Sequence, residues 1–141
     1  MEADLARHKA HISVIAGGAP EGREATIGVA GALTFVVAAL LRLSQGIGVY
    51  WPAGENFVTA ETFIHAAEGF GRGEGPPVMA WVRLYAAQAD AGIVLSTRGL
   101  RPFIGRELDF APSTLQLGEL MRNARSIAVN RVQIIHTKFV Q

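Results

Sequence analysis

The chain of 141 residues contains no cysteine, which excludes disulfide bonds and thiolate metal ligands. Charged residues are also scarce, at 18% of the sequence, and the net charge is only +1. Because no block of lysine or arginine is present, the sequence predicts no nucleic-acid site. The N-terminal stretch "MEADLARHKAH" has no apolar core of the kind found in signal peptides. Together these features predict a cytoplasmic protein.

Apolar residues, in contrast, are abundant and make up 50% of the chain. In a chain of this length they suffice for one domain with a sizeable core, and they argue against disorder. We therefore predict a single α+β domain over residues 1–141. The tail, residues 130–141, alternates poorly between apolar and polar positions, so it fits a last strand only weakly.

The longest apolar run is "ATIGVAGALTFVVAALL", residues 25–41, which carries no charge. Its length lies at the lower edge of what spans a bilayer, about 17–25 residues. Its glycines and alanines, and the strands predicted on both sides, instead favour a buried helix that is capped by Thr26 and ends near Ser44. No membrane association is expected. The small residues expected to touch the sheet are Gly28, Gly31 and Ala39.

Periodicity and turn residues give the order β-α-β-α-β-β-β-α, with an optional last strand. This order predicts a two-layer α+β sandwich in which the helices lie mainly on one face of a mixed sheet, with the first two strands parallel. The other face is then open to water or to a partner. The predicted strands are residues 11–16, 46–51, 78–87, 93–98 and 106–110, and the predicted helices are about 26–44, 59–70 and 113–128.

The stretch "STRGLRPFIGRELDF", residues 96–110, joins the fourth and fifth predicted strands. Gly99 and Gly105 allow a positive φ in this connection. Glu107 follows a loop that is rich in backbone N–H groups, so we predict that its carboxylate accepts hydrogen bonds from that loop. Thr97, Gly99, Gly105 and Glu107 are thus predicted to be structural residues of the turn.

Alternation along the strands gathers aromatic residues, arginines and two acids, Glu107 and Asp109, on the sheet face away from the helices. Aromatic residues and arginine are enriched in the cores of protein interfaces. We therefore interpret this face as a binding surface for a protein partner or for a second copy of the chain. The alternative is an ordinary solvated face on which Arg98 pairs with Glu107 or Asp109. The predicted binding residues are Tyr50, Trp81, Arg83, Tyr85, Arg98 and Asp109.

A second interpretation is a hydrolase-like enzyme that uses Glu107 or Asp109 together with Arg98. The two acids face the same side of one strand, but no histidine or hydroxyl nucleophile is linked to them by spacing. A Glu-His-Glu group at helical spacing, residues 61–68, has the pattern of a metal site, yet a solvated helix face explains it without a metal. We therefore predict no catalytic residue, no metal and no cofactor.

Several motifs follow one another along the chain: "AHISV" near the start, "GVYW" after the long helix, "WV" in a middle strand, and a T-x-G-L-x-x-F-x-G-x-E-L pattern. Together they resemble the bacterial family called domain of unknown function 4261, over about residues 8–128. The resemblance implies a compact α+β domain without an established reaction, cofactor or catalytic residue. The family is expected to continue with a glycine-rich turn, which "NRVQIIHTKFVQ" lacks. The long pattern occupies Thr97, Gly99, Leu100, Phe103, Gly105 and Glu107.

Overall fold

The computed structural model describes residue 6 and residues 8–140 of the chain. Residues 1–5, Arg7 and Gln141 of the predicted domain lie outside this part. Helices occur together with antiparallel strands, which confirms the predicted α+β class. In chain order the elements are α1 (Gly22–Ser44), β1 (Gly48–Trp51), a 3-10 turn (Pro52–Gly54), β2 (Asn56–Thr59), α2 (Ala60–Gly71), α3 (Val78–Trp81), β3 (Arg83–Ala89), β4 (Gly92–Arg98), α4 (Arg101–Ile104), β5 (Asp109–Ser113) and α5 (Leu117–Val140).

The strands form two separate antiparallel sheets, so the predicted single mixed sheet is wrong. In the first sheet β1 pairs with β2, with Gly48 opposite Thr59. In the second sheet β4 lies between β3 and β5. The sequence predicts a loop after Trp51, but the chain instead reverses through Pro52–Gly54 and pairs with the strand that precedes it. A short hairpin closes less chain than a parallel crossover, and so it loses less conformational entropy.

Residues 11–16, which are predicted to be the first strand, belong to no strand in the described structure. Ile12 and Ile15 of this segment are 68% and 85% exposed. Residues branched at Cβ favour extended backbone locally, but a strand also needs a neighbouring backbone for its N–H and C=O groups. β1 pairs with β2 alone, and the expected parallel pairing with residues 11–16 does not form in the described structure.

The third strand begins at Arg83 rather than at residue 78. Pro76 and Pro77 are followed by the helical turn α3, in which the Val82 N–H donates to the Val78 carbonyl over 2.8 Å. Pro77 is the residue just before this turn, and its carbonyl accepts the Ala80 N–H over 2.9 Å. Because a proline has no N–H to pair in a sheet, Pro76 and Pro77 disfavour an extended, paired start to the strand. Strand alternation therefore does not apply to the residues before Arg83.

Trp81 is fully buried, although the sequence predicts it on the outer sheet face. Its indole N–H donates to the Thr34 hydroxyl over 2.9 Å, and this hydroxyl donates to the Ala30 carbonyl over 2.7 Å. The ring packs against Trp51 and Phe103, with centroid distances of 6.0 and 5.1 Å. The binding role predicted for Trp81 is therefore wrong, because α3 turns the side chain into the core.

The fifth strand covers Asp109–Ser113 rather than residues 106–110, and Pro112 lies inside it instead of ending it. β5 forms an edge of the second sheet, where a residue without an N–H is tolerated. Phe110 lies opposite Leu95, with a register irregularity beyond it. The residues just before Asp109 belong to the preceding turn.

The tail is helical, so the last strand predicted within residues 130–141 is wrong for the described residues. Ala124, Ala128 and Val132 are buried and recur at intervals of four residues. Residues four apart lie on the same side of a helix, and the burial of Val132 together with Ala124 and Ala128 is explained because the helix continues past residue 130. The tail alternates poorly because its period is that of a helix.

The main core lies between α1 and the other helices. The inner side of α1, which includes Ile27, Thr34 and Leu41, is buried and contacts α2, α4 and α5. A second cluster centred on Leu95 and Leu120 joins the three-stranded sheet to α5. α5 thus covers one face of that sheet.

Only one of the small residues expected to touch the sheet is closely packed. Gly31 is buried, and its neighbour is Phe70 of α2 rather than a strand. Gly28 and Ala39 are exposed, because they lie on the opposite side of α1. The prediction that Gly28 and Ala39 contact the sheet is therefore wrong. Gly31 is packed as predicted, but against a helix and not against a strand.

We expect Gly31→Leu to lower the urea midpoint and Gly28→Leu to leave it unchanged or raise it. A Cβ atom at Gly31 would lie 2.7 Å from Cε1 of Phe70, and such overpacking typically costs about 1–3 kcal/mol. A Cβ at Gly28 would meet no described atom within 4 Å, and replacing glycine in a helix gains up to about 1 kcal/mol. Circular dichroism at high dilution compares the variants. Equal midpoints would contradict the Gly31–Phe70 contact.

Candidate binding face

The three-stranded sheet presents one face that α5 does not cover. Across this face Arg83 lies opposite Arg98, Tyr85 lies opposite Ser96, and Ser96 lies opposite Asp109. Residues directly opposite each other, or two apart on one strand, point to the same side of a sheet. These five residues, Arg83, Tyr85, Ser96, Arg98 and Asp109, are called the open face below.

Glu55, just after the 3-10 turn, connects three side chains at one end of the open face. Its carboxylate accepts hydrogen bonds from Arg98 Nη1 over 2.8 Å and from the Tyr85 hydroxyl over 3.1 Å. Its carbonyl accepts a third bond, from Arg83 Nη1, over 3.2 Å. Glu55 thereby fixes the relative positions of two arginines and a tyrosine from both its side chain and its backbone.

The backbone of Glu55 is itself unusual, with a φ of 46°. This left-handed conformation costs a residue other than glycine about 1–2 kcal/mol, so surrounding contacts have to hold it. The 3-10 turn supplies one such contact, because the Glu55 N–H donates to the Pro52 carbonyl over 3.0 Å. The bonds to the open face supply the others.

The two arginines face each other across β3 and β4, where like charges are unfavourable. The Tyr85 ring compensates for this, since the Cζ atoms of Arg83 and Arg98 lie 4.5 and 5.4 Å from its centroid. The Arg98–Glu55 pair is roughly half exposed and contributes about 0–1 kcal/mol at most to stability. The contacts of Glu55 with these side chains therefore hold them in fixed positions but add little to the stability of the fold.

The open face contains Arg83, Tyr85, Arg98 and Asp109 of the predicted binding residues. Tyr50 is 59% exposed but belongs to β1 in the other sheet, so its assignment to this face is wrong. β1 pairs only with β2, and neither strand joins the three-stranded sheet.

The pairing of Arg98 with Glu107 or Asp109, which belongs to the alternative interpretation of this face, does not form, because Arg98 pairs with Glu55. Sequence reasoning missed Glu55 for a physical reason. It lies in a loop 43 residues from Arg98, and no periodic pattern connects the two positions.

Glu107 lies in the turn between β4 and β5, as the sequence predicts. Its Oε1 accepts bonds from the Gly99 and Arg101 N–H groups over 3.0 and 3.1 Å. Its Oε2 accepts bonds from the Thr97 hydroxyl and the Leu100 N–H over 2.8 and 3.1 Å. The Thr97 hydroxyl also accepts from the N–H of Leu108 over 2.8 Å, which closes the turn.

The glycines of this turn have separate tasks. Gly105 ends the single turn α4 with a φ of 87°. Gly99 has a φ of 94° and also touches other backbone, because a Cβ there would lie 2.6 Å from Cα of Gly54 and 2.7 Å from the Trp81 carbonyl oxygen. No side chain fits at Gly99, so the turn packs directly on the backbone of Trp81.

Burial raises the pKa of the Glu107 carboxyl, but its hydrogen bonds with Arg101, Thr97, Leu100 and Gly99 outweigh burial and leave the pKa below its ordinary value. A carboxylate with a lowered pKa and four donors on its two oxygens is a weak proton acceptor. Glu107 is therefore suited to organising the turn and poorly suited to general acid or base chemistry.

Two grooves on the described surface have volumes of about 480 and 240 Å³. The larger lies along α5 beside Arg122 and Arg125, and the smaller is an apolar groove between α2 and α3. Neither is lined by Glu107, Asp109 or Arg98. Within residues 8–140, no group of three or more histidines and acids is placed to hold a metal ion.

Comparisons with known proteins give no guide to function. No protein-family model matches the chain, and neither a curated protein nor a solved structure matches it. A functional assignment therefore depends on the geometry of the open face and of the Glu107 turn.

We expect Glu107→Gln to lower the free energy of unfolding by about 1–3 kcal/mol at neutral pH, because an amide N–H₂ would face two of the four donors. The lowered pKa means that the carboxylate stabilises the fold above the ordinary pKa of 4.5. This contribution is lost as the pH falls through the lower pKa of the folded state. The difference in free energy of unfolding between Glu107→Gln and wild type therefore becomes smaller in acid. Urea unfolding over a pH series measures it.

The matched control is Asp109→Asn, which removes an exposed carboxylate two residues away on β5. It should change the free energy of unfolding by less than about 0.5 kcal/mol, as is usual at the surface. If Glu107→Gln is equally mild at neutral pH, the carboxylate is not bonded as described.

Proposed function

We propose that this protein is a small soluble bacterial binding module that recognises a protein partner through the open face. One observation carries the proposal, namely the ordered group of Glu55, Arg83, Tyr85 and Arg98 on a sheet face that α5 does not cover. We also propose that it works in the cytoplasm, in agreement with a sequence without cysteine.

The composition of the open face supports a protein partner. Tyrosine and arginine are the residues, with tryptophan, that most often contribute the largest share of binding energy in protein interfaces. Here the hydroxyl of Tyr85 and the guanidinium of Arg98 already share one acceptor, Glu55. Side chains that are held in place before binding lose less entropy on association, which improves affinity for a given contact area.

The charges indicate the chemistry of the partner surface. Each guanidinium has five N–H donors, and Glu55 receives one bond from Arg83 and one from Arg98. Their other donors suit a carboxylate of the partner, while the Tyr85 ring offers apolar contact. Asp109 on β5 adds an acid at the other edge of the open face. The partner that fits best therefore presents an acid to the arginines, a base to Asp109 and an apolar group to Tyr85.

The Glu107 turn has a supporting role in this proposal. All residues of the T-x-G-L-x-x-F-x-G-x-E-L pattern lie in or beside the turn, where Leu100 and Phe103 are buried and Glu107 collects backbone donors. We therefore propose that this pattern, on which the resemblance to the domain of unknown function 4261 family depends, is architectural. It positions the end of β4, and with it Arg98, on the open face.

A hydrolase that uses Glu107 or Asp109 with Arg98 receives less support. Both oxygens of Glu107 are engaged by turn donors, and Arg98 pairs with Glu55 instead. An active site also requires a concavity that holds substrate and excludes water. The described grooves lie elsewhere on the surface.

Tyr85→Ala and Arg83→Ala should each weaken partner binding at least tenfold, because each removes an anchor of the ordered group. The partner is first identified by copurification with the tagged native protein and mass spectrometry. Titration calorimetry with the purified partner then measures the dissociation constants.

Arg125→Ala is the matched control, because it removes an arginine from the exposed side of α5. It should bind as wild type does. If the open-face variants and this control all bind equally well, the open face is not the recognition surface.

A further inference from the structure

α1 has two apolar sides, and only one of them is covered by the described chain. The inner side is buried in the core. The opposite side remains largely exposed, with Phe35 at 45%, Val36 at 50% and Leu43 at 84%, and one face of the Phe35 ring stacks on Phe70 of α2 at a centroid distance of 5.3 Å. These residues recur at helical spacing and share one stripe. We call this stripe the outer stripe of α1, and it consists of Gly28, Ala32, Phe35, Val36, Ala39 and Leu43.

An uncharged stripe of this length is unusual on a monomer in water. Contiguous exposed apolar surface on a soluble protein generally marks a contact site. By length and composition α1 is also apolar enough to cross a membrane, but 33% of its most apolar stretch is buried in the protein. Its inner side also supplies the Thr34 hydroxyl to the buried Trp81 indole. Crossing a bilayer would break that bond and expose the core. A partner that covers only the outer stripe would leave both the bond and the core intact.

The outer stripe is complementary to itself when two copies run antiparallel. Positions 28 and 39, and positions 32 and 35, are symmetric about the point between residues 33 and 34. A two-fold axis there sets Phe35 opposite Ala32 of the second copy and Gly28 opposite its Ala39. The large Phe35 thus meets a small residue, and Gly28 and Ala39 are both small, so the two helices can approach closely in an isologous interface.

The charges at the ends of α1 agree with the same arrangement. Glu24 precedes Gly28 by four residues and so continues the outer stripe at its N-terminal end. Arg42 borders the stripe at the other end, where it bonds Glu68 over 2.7 Å and keeps 48% of its side chain exposed. In the antiparallel arrangement each Glu24 approaches Arg42 of the second copy, whereas a parallel pair would bring like charges together.

We propose that the protein forms a two-fold symmetric homodimer in which the outer stripes of two antiparallel α1 helices pack on each other. This interface is distinct from the open face, whose residues all belong to β3, β4 and β5. The dimer therefore presents two open faces, and a partner with two recognition elements would gain avidity from binding both.

Sedimentation equilibrium over a range of concentrations tests the proposal. Wild type should pass from monomer to dimer. Ala32→Glu, which places a charge in the stripe, and Gly28→Leu, which separates the helices, should each raise the dimer dissociation constant at least tenfold. Circular dichroism should show that both remain folded. Arg83→Ala on the open face is the control and should dimerise as wild type does, which separates this test from that of partner binding.

A charge exchange tests the antiparallel direction. Glu24→Arg and Arg42→Glu should each weaken the dimer, and the double variant should restore it, because the opposite charges then meet again. A wild type that stays monomeric at every concentration overturns the proposal, as does dimerisation that these substitutions leave unchanged. Cosedimentation with phosphatidylcholine vesicles tests for a lipid surface as the partner of the stripe. A protein that stays monomeric and binds the vesicles through the stripe would overturn the dimer.

Discussion

The position of Trp81 is the constraint on which most of the structure depends. Its indole N–H reaches Thr34 of α1, its ring contacts Trp51 of β1 and Phe103 of α4, and its carbonyl adjoins Gly99 at the end of β4. Elements that are distant in sequence are thus held together by one residue. A smaller residue would leave a cavity and also leave the Thr34 hydroxyl without this donor, and both effects destabilise a core.

The fold features that the sequence predicts correctly are those that depend on local periodicity. α1, α2 and the first part of α5 follow from apolar spacing, and the β3–β4 hairpin follows from alternation around a glycine-containing turn. The errors concern choices between distant partners. Residues 11–16 have the composition of a strand but no strand to pair with, and Trp81 leaves the strand pattern because it lies in a helical turn that follows two prolines, which disfavour a paired strand start.

The same distinction separates Glu107 from Glu55 at the candidate site. Glu107 bonds donors within ten residues of itself, so the glycines and the acid of one short stretch suffice to predict the arrangement. Glu55 bonds residues on β3 and β4 that the chain reaches only after α2 and α3. Its position depends on how the 3-10 turn packs against the end of the second sheet, which follows from tertiary contacts and not from spacing.

Pro112 in β5 limits how another chain can add to that edge of the second sheet. An edge strand normally offers a row of N–H and C=O groups to which a further strand can add. Proline has no N–H to offer, and its ring obstructs the row at that point. Strand addition along β5 is therefore disfavoured, and another chain that approaches this edge meets a proline ring in place of a continuous row of backbone donors.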